Sequence, residues 1–191
     1  MIVKALVGAA LLAAPASVAP AVPLLDQQIP KVVCPVYAGS VLLGWSMGSA
    51  FRIGKLLLSV KHVTDYPDCY INGKKITVAY TDPKFDFSII ADSEGPFLKV
   101  DCDGFKPGRK YLAVGHARGL DQLTTVELEG TGQTTNGYAI LKGISVVIPG
   151  QSGGSIIDAE TGKAVGMVNA YDMAKGLSYS IPLSATPVCH A

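Results

Sequence analysis

From residue 32 onward the hydrophobic positions fall in short runs of four to nine residues, each closed by a turn-forming cluster. The first half predicts strands over 32–36, 40–45, 49–53, 55–60, 75–80, 87–91 and 97–100. The second half repeats the rhythm over 111–114, 122–130, 137–141, 145–148, 155–158, 164–169 and 177–181. Runs of this length, spaced by turn signals and without an amphipathic helix longer than two turns, fit an antiparallel barrel or sandwich and exclude a βαβ fold. Between the halves, Cys102-Asp103-Gly104-Phe105-Lys106-Pro107-Gly108-Arg109 is a polar connector bearing Pro and Gly, and marks the boundary. The chain thus divides into 1–30, 31–105 and 106–191.

Residues 1–23 differ from the rest. Lys4 is followed by an apolar Ala/Leu/Val/Gly stretch through Ala14, and small residues stand at Ser17 and Ala19. This fits a secretory signal cut near Ala19, although Pro20 argues against a clean cut; the alternative is an apolar linker or arm. The stretch is too short for a comfortable transmembrane helix. Membrane contact is expected only through this arm, if it is retained.

Composition narrows the function classes. Hydrophobic residues make up 49% and charged residues 16% of 191, which excludes a disordered chain and a solvated helical bundle. The net charge of +1, without a dense Lys/Arg run, leaves no electrostatic footprint for nucleic acid or an anionic membrane. Gly (21) and Pro (12) supply the punctuation that many short strands need. Cys34, Cys69, Cys102 and Cys189 show no C-x-x-C spacing, so no zinc site is expected; three disulfide pairings, or free buried thiols, remain open.

The candidate chemistry centres on Gly150-Gln151-Ser152-Gly153-Gly154, between apolar runs that end at Ile148 and begin at Ile156. A serine on a glycine-permissive turn can be presented as a nucleophile, and backbone N–H groups there can approach an oxyanion. The bland alternative is a Gly/Ser hairpin turn, so the partners decide. Of three histidines, His62 lies where the apolar run 56–60 ends, next to a would-be cleft; His116 follows Gly115 without such context, and His190 is next to last. For the orienting acid, Asp86 sits between Phe85 and Phe87, where a carboxylate is costly unless paired. Asp82 is the runner-up, with Pro83 suiting a surface turn, and Asp65 and Asp92 fit solvated positions.

In the order His62, Asp86, Ser152 the sequence resembles the chymotrypsin-like serine proteases. The matching pieces are Leu58-Ser59-Val60-Lys61-His62-Val63, Phe85-Asp86-Phe87-Ser88-Ile89-Ile90, the Gly150–Gly154 turn, and Val165-Gly166-Met167-Val168-Asn169 with Tyr179-Ser180-Ile181-Pro182. Compact size and gaps of 24 and 66 residues between the three resemble most the small polyprotein-processing proteases of positive-strand RNA viruses, of the sobemovirus and polerovirus type. Bacterial trypsin-like proteases of the heat-shock class are the second match, through the Ser178–Pro182 ending. The chain departs from the family at Gln151, where Asp is frequent, and at Val60-Lys61, where Ala-Ala is usual.

The resemblance implies an all-β fold of two antiparallel six-stranded β-barrels with the active site between them. It implies a His62-Asp86-Ser152 triad, an oxyanion hole from the N–H groups of Gly150 and Ser152, and no metal or cofactor. By position, Val146, Val147, Asn169, Ala170, Tyr171, Leu177 and Ser178 would line the specificity pocket. None of these is acidic or histidine, so an uncharged P1 side chain is expected. The implied partner is a polypeptide, including the chain's own polyprotein in the viral reading. Activation by a freed N-terminus is not expected, since no Ile-Val-Gly-Gly start occurs. The rivals are a secreted bacterial-type protease, a catalytically inactive trypsin-like binding module, and a plain β-sandwich binding or capsid protein.

Overall fold

The computed structural model describes residues 22–38, 40–91 and 94–190. The expected signal or arm at 1–20 lies outside them. The described part opens with a two-turn helix, α1 (Val22–Gln28), and the strands follow in two groups.

The first half holds β1 (Lys31–Ala38), β2 (Val41–Ser49), β3 (Phe51–Ile53), β4 (Leu56–Ser59), a single helical turn α2 (Lys61–Thr64), β5 (Tyr70–Ile71), β6 (Lys74–Lys75), β7 (Val78–Thr81) and β8 (Ser88–Ile90). They form two four-stranded sheets, in the orders β2-β1-β5-β6 and β3-β4-β8-β7. The expected first six-stranded barrel is not seen as one closed sheet: among the described residues the strands of this half form two separate sheets. β5 and β6 are two residues each, too short to carry a ladder around a barrel.

The second half is a closed barrel. β9 (Lys110–Gly115), β10 (Thr124–Gln133), β11 (Ala139–Lys142), β12 (Ser155–Asp158), β13 (Ala164–Asp172) and β14 (Leu177–Pro182) run in the cyclic order β10-β11-β14-β13-β12-β9, all pairs antiparallel. Tyr111, Ala113, Leu128, Leu141, Val165 and Val168 form one core cluster. Alternate residues of the same strands, Val114, Ala164 and Met167, join the core of the first half. β13 is therefore buried on both faces from Ala164 to Val168 and reads in sequence as a continuous apolar run.

Two predicted strands are absent. Over 97–100 the chain makes only an isolated parallel bridge between Val100 and Ala164, while the Leu98 N–H donates to Arg52 O. Over 145–148 the backbone donors go to side chains, Val147 N–H to Ser178 Oγ and Ile148 N–H to Gln151 Oε1, so no ladder forms. The cysteines pair as Cys34–Cys69, within the first half, and Cys102–Cys189, which ties the connector to the C-terminal segment.

Candidate active site

His62 lies on α2, a turn the apolar pattern read as a strand exit. The Val60 carbonyl accepts from the N–H groups of Val63 and Thr64, and Thr64 Oγ1 donates to Ser88 Oγ on β8 at 3.1 Å. Val63 and Thr64 are buried, which leaves His62 on the exposed side of the turn. A Cβ on Gly48 would lie 2.6 Å from the Val63 methyls, so β2 and α2 meet as closely as a glycine permits.

Asp86 lies two residues before β8, between the buried rings of Phe85 and Phe87. Its carboxylate accepts the His62 backbone N–H on Oδ1 (2.9 Å) and faces His62 Nδ1 through Oδ2 (2.5 Å). From the other half, Asn169 Nδ2 donates to Oδ2 at 2.8 Å, and the Asp86 backbone N–H donates to Tyr138 Oη at 3.4 Å. Burial acts to raise the Asp86 pKa, but the hydrogen bonds and charge of His62, with the bond from Asn169, outweigh it and hold the carboxyl below the usual range. An ionised carboxylate can only accept, so the proton in this bond sits on Nδ1 and Nε2 is the ring nitrogen left for another partner. Asp82 instead shapes the turn before Asp86: its Oδ1 accepts from Lys84 and Phe85 N–H, and its Oδ2 from Tyr80 Oη. Asp92 lies outside the described residues.

Ser152 sits on the turn between the 145–148 segment and β12. Gly150 (φ 94°) and Gly153 (φ 82°) adopt the left-handed region, and a Cβ on Gly153 would come within 2.1 Å of Ser49 O. The turn is fixed from several sides. Ser49 N–H donates to Ser152 O (2.8 Å), Ser49 Oγ donates to Gly150 O (2.9 Å), and the buried Gln151 amide donates to Thr124 O and Oγ1. The N–H groups of Gly150 and Ser152 have no hydrogen-bond partner among the described residues.

Ser152 Oγ donates to Asn169 O at 3.4 Å; among the described residues it forms no hydrogen bond to His62. Asn169 thus touches both Ser152 and Asp86, with its main chain on one and its side chain on the other. Sequence reasoning placed it in the specificity pocket and missed this link; a polar side chain that ends the apolar run 164–168 was the available signal. Ser49 and Gln151 were missed as supports for the turn, and nothing local marks them.

The remaining expected pocket residues do not line a common cavity among the described residues, and of them Ser178 alone is hydrogen-bonded to the segment before the turn. Val147 packs into the barrel core and its N–H meets the buried Ser178 hydroxyl, while Ala170 and Tyr171 are exposed, and Val146 and Leu177 half-buried. A cavity of ≈ 590 Å³ on the barrel is lined by Lys110, Glu127, Glu129, Lys142, Ile144 and Ser145 among others, and includes none of His62, Asp86 and Ser152. The other histidines are structural: the His116 ring nitrogens lie against Ile29 O and Leu120 O, and His190 Nε2 against Ser184 O.

No protein-family model matches the chain. A probable periplasmic serine endoprotease, DegP-like, of Marinomonas sp. (strain MWYL1) is 31% identical over 157 residues, which is 72% of this chain and 33% of that protein. The chain therefore spans about a third of the length of the curated relative it matches. Among solved structures, the serine endoprotease from Yersinia pestis superposes with a TM-score of 0.70 at 18% identity, over 86% of this chain and 62% of that one. The active form of the Rv3671c protease from M. tuberculosis superposes with a TM-score of 0.68 at 18% identity, over 95% and 89%. The HtrA-type protease AlgW with tripeptide gives 0.68 at 20%, over 84% and 58%. These likenesses establish the all-β chymotrypsin-like protease fold.

Proposed function

We propose that the chain is a serine endopeptidase of the trypsin-like, HtrA type. The observation that carries this reading is the double hold of Asp86 on His62, through Nδ1 and through the backbone N–H, which fixes the ring with Nε2 as its remaining nitrogen. When substrate binds, Ser152 Oγ gives up its long bond to Asn169 O for one to His62 Nε2; such contacts are often loose without substrate. Ser152 Oγ then attacks the scissile carbonyl, His62 takes the proton and returns it to the leaving amine, and Asp86 holds the ring and stabilises the imidazolium. The N–H groups of Gly150 and Ser152 receive the oxyanion, where losing one donor typically costs about 100–1000-fold in turnover.

The secreted bacterial-type reading is preferred to viral polyprotein processing. The similar proteins from Marinomonas, Yersinia and M. tuberculosis are bacterial, and disulfides such as Cys34–Cys69 and Cys102–Cys189 persist in oxidising compartments. The substrate is a polypeptide with an uncharged P1 residue, since Val146, Val147, Ala170, Tyr171, Leu177 and Ser178 supply no charge. Labelling with a fluorophosphonate tests the reaction: the chain should be labelled and Ser152→Ala should not. A folded chain left unlabelled would instead favour a catalytically inactive binding module. Peptide-library profiling tests specificity, and dominant cleavage after Lys or Arg would refute it.

A further inference from the structure

The β1–β2 hairpin is bare where a soluble sheet edge is normally guarded. β2 is an edge strand of its sheet. Val41 (62% exposed), Leu42, Leu43 (66%), Trp45 (54%) and Met47 are open to solvent, with Tyr37 opposite Leu42 in the register. Between Lys31 and Arg52 the sequence has no charged residue. Edge strands are usually protected by charges, Pro or bulges against pairing; β1 has Lys31, Pro35 and the irregularity at Val36/Tyr37, whereas the edge strand β2 has neither a charge nor a proline.

The pattern of exposure selects the occupant. Val41, Leu42 and Leu43 are consecutive, so they alternate between the two pleat faces, and both faces at this end of the hairpin are apolar and open. A docked protein or a second copy covers one face or one edge. A lipid layer entered end-on covers both. Trp45 stands four residues behind Val41, about 13 Å along the strand, with Tyr37 nearer the end. Amphipathic rings of this kind settle at headgroup level when the apolar residues ahead of them enter the acyl boundary.

We propose that the end of the β1–β2 hairpin inserts into a lipid bilayer surface, with Leu42 and Leu43 in the acyl boundary and Trp45 in the headgroup layer. Ser49, at the other end of β2, is bonded to Ser152 O. At ~3.3 Å per residue the inserted end lies about 26 Å from the nucleophile turn. Insertion therefore holds the cleft above the membrane and leaves it open.

Trp45 is the only tryptophan in the chain, so its fluorescence reports the hairpin directly. The full chain is titrated with phosphatidylcholine vesicles, with and without phosphatidylglycerol. The expected result is a blue shift of the Trp45 emission and its quenching by brominated acyl chains. In Leu42→Ser/Leu43→Ser, vesicle affinity should fall tenfold or more, as expected from removing roughly two buried leucines. Peptidase activity and the urea midpoint of that variant should stay unchanged, since both side chains are exposed. The proposal is overturned if vesicles capture the chain with no change in Trp45 emission, which assigns binding to residues 1–20. It is equally overturned by a blue shift that depends on protein concentration without vesicles, which assigns the patch to a second copy, or by no capture at all.

Discussion

Asn169 donates its side-chain N–H to Asp86 Oδ2 at 2.8 Å, across the interface between the closed barrel and the first half. The same oxygen faces His62 Nδ1, so one lone-pair region of Asp86 is shared between a donor from each half. The relative placement of the two halves is thereby read out at the carboxylate that orients the ring. Ser152 is tied to the same residue through Asn169 O.

Replacing Asn169 with Ala removes one charge-assisted hydrogen bond, of about 1.5–3 kcal/mol. If that bond acts by orienting the pair in the transition state, kcat should fall roughly 10–100-fold with KM nearly unchanged. Asn169→Asp should be worse, because a second carboxylate against Asp86 Oδ2 raises the pKa of both. Steady-state kinetics on a cleaved peptide separate these outcomes; a change in KM alone would make Asn169 a substrate-binding residue only.

Asp86 also predicts an acid limb of stability. Its folded pKa is depressed below the ordinary 3.8, so ionisation contributes stability that is fully present above that value and lost as pH falls through the folded pKa. Asp86→Asn should therefore be less stable than the parent at pH 7, and the gap should close below about pH 4. Urea unfolding across this range measures it. Turnover should drop on the order of 10⁴-fold, because an amide can present its N–H to Nδ1 and leave the ring in the wrong tautomer.

Much of this arrangement was legible in the residues. Asp86 stood between two apolar neighbours where a carboxylate needs a partner, and His62 followed an apolar run; the structure joins them. Ser152 was marked by flanking glycines, and φ of 94° at Gly150 and 82° at Gly153 explain them. What could not be read locally was long-range. The barrel closes through β9–β10 and β9–β12 pairs, while the first half stays as two sheets because β5 and β6 are two-residue strands that no periodicity marks. The 145–148 run has the apolar content of a strand but spends its backbone donors on Ser178 and Gln151. The exposed β2 violates the alternation from which burial is inferred, and so passed as an ordinary strand.

The Ser152 turn has no room for a side chain at its second glycine. Gly153→Ala would set a Cβ 2.1 Å from Ser49 O and 2.4 Å from Ser59 Oγ, at a φ of 82° that L-residues avoid. Displacing Ser49 releases Ser152 O and Gly150 O together, since its N–H and its hydroxyl hold one each. The expected loss is at least about 2 kcal/mol in urea unfolding, with fluorophosphonate labelling of Ser152 slowed even in the folded fraction. Unchanged labelling of a folded variant would show that the turn tolerates displacement.

The two disulfides should contribute comparably but to different regions. Cys34–Cys69 closes 35 residues inside the first half, and Cys102–Cys189 closes 87, linking the connector to the C-terminal segment after β14. In the chain-entropy model these loops correspond to about 3.8 and 4.6 kcal/mol of denatured-state constraint. Cys102→Ser/Cys189→Ser should therefore lower stability slightly more than Cys34→Ser/Cys69→Ser. Their effects on activity should be reversed. Cys34 lies on β1, paired to β2, and Cys69 lies between α2, which carries His62, and β5; opening this bond frees the segment behind the histidine. Among the described residues Cys102 and Cys189 make no hydrogen bond to the segment that carries His62, although Cys189 packs against the core cluster that contains Phe85 and Phe87. Urea midpoints and kcat of the two double variants, each compared with the parent treated with dithiothreitol, test this ordering; an equal loss of kcat in both would mean that the bonds act only through global stability.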